Sequence, residues 1–120
     1  MNQSVFDGLK AQAPEKVGIG LQKLEQFCEA FQASLLLFGS RAKGQAKKYS
    51  DWDFGIYFNQ QSHDRDLRHL KWNLQEQIFP YTFDVVNFNN VSPSRLPHMV
   101  SQSVLLKGPW PEALEKYQYE

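Results

Sequence analysis

The chain has little of several things that would otherwise define it. Its one cysteine, Cys28, excludes an internal disulfide framework, and its three histidines, His63, His69 and His98, share no metal-ligand spacing. Thirteen basic residues balance thirteen acidic ones, so general nucleic-acid binding by bulk positive charge is not expected. No apolar run approaches the length needed to cross a bilayer, and no charged region precedes an apolar one at the start, so neither secretion nor membrane insertion is expected. Internal repeats and low-complexity segments are absent as well. A lone cysteine on the apolar stripe of a predicted helix reads as a small buried residue and fits a reducing cytoplasm. A length of 120 residues points to one domain over 1–120, able to bury about two thirds of the surface its unfolded chain would expose.

Charge missing from the whole is concentrated locally, in residues 35–58. A short apolar run at 35–38 stops at Gly39-Ser40, and a segment at 52–58 places Trp52, Phe54, Ile56 and Phe58 on one parity. The pattern is strand, glycine turn, basic loop, strand. Alternation sends the four large apolar side chains to one face and puts Asp51 and Asp53 on the other with Gly55 and Tyr57. At about 4 Å and an effective dielectric near 20, two like charges repel by roughly 4 kcal/mol, so such a pair calls for a cation between the carboxylates or for one of them to be protonated. A divalent metal is the simpler answer. Gly39 permits an unusual backbone and close ligand approach, and Ser40 adds a hydroxyl beside backbone N–H groups, a setting that suits phosphate. Arg41, Lys43, Lys47 and Lys48 follow with no acid among them. Phosphate cradle, basic loop and paired carboxylates together suggest a nucleoside triphosphate held with Mg²⁺.

Around this stretch, a helix is predicted from Pro14 to about residue 31, with Leu21, Leu24, Cys28 and Phe31 facing the sheet. Gly18 and Gly20 each weaken its interior by about 1 kcal/mol relative to alanine, which leaves its start open. A second helix begins near Asp64 and Asp66, carries the stripe Leu67, Leu70, Leu74 and Ile78, and ends at Pro80. Its basic residues Arg65, Arg68, His69 and Lys71 form a solvated or partner-contacting face. A third strand at 82–88 is apolar on both parities apart from Asp84 and Asn87, which predicts a strand covered on both sides. A helix over 95–103, an edge strand at 104–106 and an aromatic tail at 110–120 with Trp110, Tyr117 and Tyr119 complete the reading.

Gly39, Ser40, ten residues, then Asp51-x-Asp53 resembles the signature of the DNA polymerase β-like nucleotidyltransferase superfamily, and the short chain is similar to its minimal nucleotidyltransferase (MNT) family. With each residue type at roughly 5 to 7% of usage, those four positions coincide by chance in about one chain in a thousand of this length, so the motif is specific. The resemblance implies an α+β fold, a small mixed β-sheet with helices packed on it, like the polymerase β palm. It implies Asp51, Asp53 and Asp84 as catalytic residues and metal ligands for one or two Mg²⁺ ions, and Gly39, Ser40, Arg41 and Lys43 as nucleotide-binding residues, with ATP as the substrate. The implied activity moves AMP onto a hydroxyl acceptor. Larger relatives bind the acceptor with a helical domain, and only 32 residues follow Phe88. The resemblance therefore implies a separate partner, a helical HEPN-type protein encoded nearby and adenylylated as in a toxin–antitoxin pair, or else a homo-oligomer. Two alternatives stand beside it: a nucleotide-binding subunit that acts by stoichiometric assembly with a helical substrate-binding partner, and an antibiotic-type small-molecule nucleotidyltransferase.

Overall fold

Two consecutive strands of opposite direction and one parallel neighbour set the architecture. A computed structural model describes residues 2–118. In chain order it contains α1 (Asn2–Gln12), α2 (Glu15–Phe31), β1 (Ala33–Phe38), α3 (Gly39–Ala42), β2 (Trp52–Phe58), α4 (Asp64–Gln77), β3 (Phe83–Asn87), α5 (Leu96–Val100), β4 (Val104–Lys107) and a 3-10 turn over Glu112–Tyr117. The sheet order is β3-β2-β1-β4. β1 runs antiparallel to β2 and β4, whereas β3 runs parallel to β2. A parallel neighbour needs a crossover, and α4 provides it. The result is the expected mixed sheet of an α+β nucleotidyltransferase fold.

The parity of β2 governs the packing. Trp52, Phe54, Ile56 and Phe58 are all buried and join Leu35, Leu37 and Val85 under α1, α2 and α4. From α2 come Leu21, Leu24 and Cys28, as the stripe predicts, and from α4 Leu67 and Leu74. The helix α2 does begin directly after Pro14. Gly20 has a packing reason that its propensity conceals: a Cβ there would lie 2.6 Å from the Phe83 ring and 3.1 Å from Ile78. Its lack of a side chain lets α2 approach β3 and the end of α4 closely. The first helix, α1, is anchored by the fully buried Phe6 and by Lys10, whose ammonium donates to Glu25 at 3.0 Å.

The opposite face is covered differently. Leu36, Phe88, Val100, Leu105 and Leu114 form a second cluster, with Phe38, Val86, Trp110 and Tyr117 partly buried against it. The aromatic tail is therefore packed on the sheet; Tyr119 lies outside the described residues. Two expectations need correction. β3 is an edge strand whose two faces are each only partly covered, with Phe83 and Val85 packed on one cluster and Val86 on the other, and Asp84 is exposed on it. The expected helix at 95–103 shrinks to Leu96–Val100, because Pro97 fits only the first turn and the chain must reach β4 by residue 104. Among the described residues, no helix is long and apolar enough to cross a membrane.

Candidate active site

β1 ends at Phe38, and the backbone turns at Gly39 with φ +74, a left-handed conformation that glycine adopts without strain. Space demands glycine as well, since a Cβ at this position would collide with the Asp53 carboxylate. Register explains the meeting: Phe38 stands opposite Asp53 across the antiparallel pair, and Asp53 stands opposite Asp84 across the parallel pair. The glycine turn, Asp53 and Asp84 thus line up across three adjacent strands at one end of the sheet. Asp51, exposed, immediately precedes β2. Ser40 and Arg41 lie in α3, whose first N–H groups precede any acceptor within the helix.

Asp53 is the electrostatic centre. Its carboxyl is held above its ordinary pKa first by burial, then by the negative charge of Asp84, then by that of Asp51. Acids that oppose one another's ionisation in this way favour a cation among them, so the donor set fits a divalent metal. Asp51, Asp53 and Asp84 are the residues able to hold it. Among the described residues, no three His, Cys, Asp or Glu groups are gathered closely enough to hold a metal ion.

Arg41, expected to bind nucleotide, is also engaged with the protein's own main chain. Its Nη2 donates to the carbonyls of Lys47, Lys48 and Ser50 at 3.0, 3.0 and 2.9 Å, and its guanidinium lies 4.2 Å from the Trp52 ring centre. The side chain thereby staples the loop between α3 and β2, whose end delivers Asp51. Burial lowers its pKa, and its Nε is enclosed without an acceptor, so the clamp is made at some desolvation cost. Lys43, Lys47 and Lys48 remain exposed around the glycine turn. No signal in the sequence separates a clamp from a phosphate ligand, because the deciding partners are main-chain carbonyls. Cys28 lies on the covered face, where burial pushes its thiol up to about 12; it is a core residue without nucleophilic character.

Residues 22–109 match the family described as "Polymerase beta, Nucleotidyltransferase", a span that runs from α2 past β4. The chain belongs to the polymerase β nucleotidyltransferase family, and the MNT resemblance agrees with that membership. Its fold is similar to that of solved toxin–antitoxin chains. One, in a toxin–antitoxin structure with AMP-PNP, has a TM-score of 0.61 at 19% identity, covering 80% of this chain and 78% of that one. A second, from a MntA–HpeT toxin–antitoxin variant with two aspartates changed to glutamate, gives 0.61 at 17% identity over 80% and 78%. A third, from a MntA–HpeT variant with a tyrosine changed to alanine, gives 0.59 at 19% identity over 80% and 77%. A search of curated proteins found no match.

Proposed function

We propose that the protein is a Mg²⁺-dependent nucleotidyltransferase of the cytoplasm that transfers AMP from ATP to a hydroxyl on a helical, HEPN-type partner protein. The observation that carries this reading is the alignment of the Gly39 turn, Asp53 and Asp84 across three strands, with Asp51 beside them. The adenine nucleotide in one structurally similar complex, and the toxin–antitoxin pairing of all three, support the choice of nucleotide and of a protein partner.

In this reading Gly39 and Ser40 receive the β and γ phosphates, and exposed Lys43 adds positive charge near them. Asp51, Asp53 and Asp84 hold one or two Mg²⁺ ions. When bound, the metal neutralises triphosphate charge and lowers the pKa of the acceptor hydroxyl. Asp84, on the exposed edge strand, faces the side from which an acceptor arrives. The acceptor oxygen forms a bond to the α-phosphorus as the bond to the α,β-bridging oxygen breaks. Pyrophosphate leaves, and the acceptor proton passes to Asp84 or to water. Arg41 acts as a positioning residue for the loop that carries Asp51.

The test is mass spectrometry of a co-purified partner after incubation with Mg²⁺ and ATP. Transfer adds the mass of one AMP residue to the partner, and Asp84→Asn abolishes that gain while ATP still binds. A partner that stays bound and unmodified supports stoichiometric assembly instead.

A further inference from the structure

A second feature lies at the free edge of the sheet, away from the aspartates. A groove of about 480 Å³ runs between the outer side of α4 and β3. Trp72 and Phe79 line it and are 77% and 71% exposed, although both are large and apolar. Arg68, Trp72, Gln75 and Phe79 recur at three- and four-residue steps and so share one stripe of the helix and its extension, distinct from the buried stripe of Leu67, Leu74 and Ile78. Exposed aromatics concentrated in one concavity mark a contact surface.

Two further observations define what fits there. β3 is hydrogen-bonded to β2 on one side only, so its other side offers main-chain donors and acceptors to a further strand. The charged residues lining the groove are both basic, Arg68 and Lys71. Arg68 is paired with Asp64, whereas Lys71 has no carboxylate partner among the described residues. Lys16 adds a third positive charge at the end of the groove, where its ammonium donates to the Phe79 carbonyl at 2.8 Å.

We propose that β3 and this groove dock an extended segment of another protein, added as a fifth strand, with apolar and acidic side chains entering the groove. A second copy of this chain fits less well, because pairing two β3 edges sets two Asp84-bearing strands and two basic rims against one another. Single-stranded nucleic acid fits less well too, because Asp64, Asp66 and Glu76 on α4 break any continuous positive track. A segment seated on β3 lies one strand spacing, about 4.8 Å, from the strand that carries Asp84 on its opposite face. That last consequence rests on the transfer reading; the docking itself does not.

The experiment is selection of displayed random peptides against the full chain, followed by titration of the selected peptides against wild type, Trp72→Ala and Lys71→Glu. Both substitutions lie at exposed positions, so the fold is retained. The expected peptides carry apolar residues together with Asp or Glu on one strand parity, the one that faces the groove, protect β3 amides from hydrogen exchange, and lose at least about tenfold in affinity with each variant. ATP binding stays unchanged in both variants, which separates failure here from failure of the proposed activity. The proposal is overturned by peptides that bind both variants as well as wild type, or by selection that yields no peptide. It is equally overturned by binding of oligothymidylate in place of acidic peptides, or by a concentration-dependent dimer that Trp72→Ala disperses.

Discussion

The two faces of the sheet are built by opposite rules. The face under α1, α2 and α4 is closed and apolar, and residues such as Phe54, Ile56 and Leu35 on it are fully buried. The other is only partly covered, by short α5 and the 3-10 turn, and it leaves the end with Asp53 and Asp84 open. One strand serves both, since β2 sends Phe54 one way and Asp53 the other. Stability and chemistry are thus separated by parity rather than by position along the chain, and neighbouring substitutions should have unlike consequences.

The sharpest contrast is between adjacent residues of β2. Phe54→Ala should cost about 3 to 5 kcal/mol, because it opens a cavity in a close-packed layer, and chemical denaturation would read it directly. A loss below about 1 kcal/mol would mean that the covered face is looser than its burial implies. Next comes the border between the faces. Gly39→Ala should lower stability by roughly 1 to 3 kcal/mol through its positive φ and should also abolish ATP binding, because the methyl group displaces the Asp53 carboxylate. Calorimetric titration that finds ATP binding intact would detach the turn from the site.

A smaller effect is expected from Arg41→Ala. Losing three carbonyl contacts should loosen the loop and reduce turnover by about tenfold while leaving the melting temperature within a few degrees. Retention of ATP affinity with reduced turnover would mark positioning; loss of affinity alone would restore the expected phosphate contact. The smallest change should come from Asp53→Asn in metal-free protein, and its sign is unusual. Because the folded pKa lies above the ordinary value of 3.8, ionising Asp53 opposes folding, and this cost develops as pH rises from that value through the raised one. Asp53→Asn should therefore melt slightly higher than wild type at neutral pH and equally at acid pH. A lower melting temperature at neutral pH would show that the carboxylate is satisfied by protein groups.

Most of the candidate site's geometry was legible because it is local. Gly39, Ser40, Asp51 and Asp53 fall within one strand-turn-strand unit, with Asp53 in β2 and Asp51 just before it. The stripe of α2 was readable for the same reason. What escaped depends on partners distant in sequence. Nothing near Gly20 announces that Phe83 and Ile78 will press against it, and α1 is held by a short stripe of Phe6, Leu9 and Ala13 together with a Lys10–Glu25 contact between residues fifteen apart in sequence. The apolar residues of β3 told of packing on its two faces, but not of the strand order, set by the α4 crossover, that put it at the edge. The aromatic tail could equally have been an interface; Leu114, only 1% exposed, ties it to the second cluster.

The central claim is that the open face holds a triphosphate through a metal bound by its aspartates. Calorimetric titration of ATP into wild type and into the Asp51→Ala, Asp53→Ala double variant, each with Mg²⁺ and with a chelator, tests it most directly. The account predicts binding only for wild type with Mg²⁺. Equal binding by the double variant, or by wild type in the chelator, would contradict it.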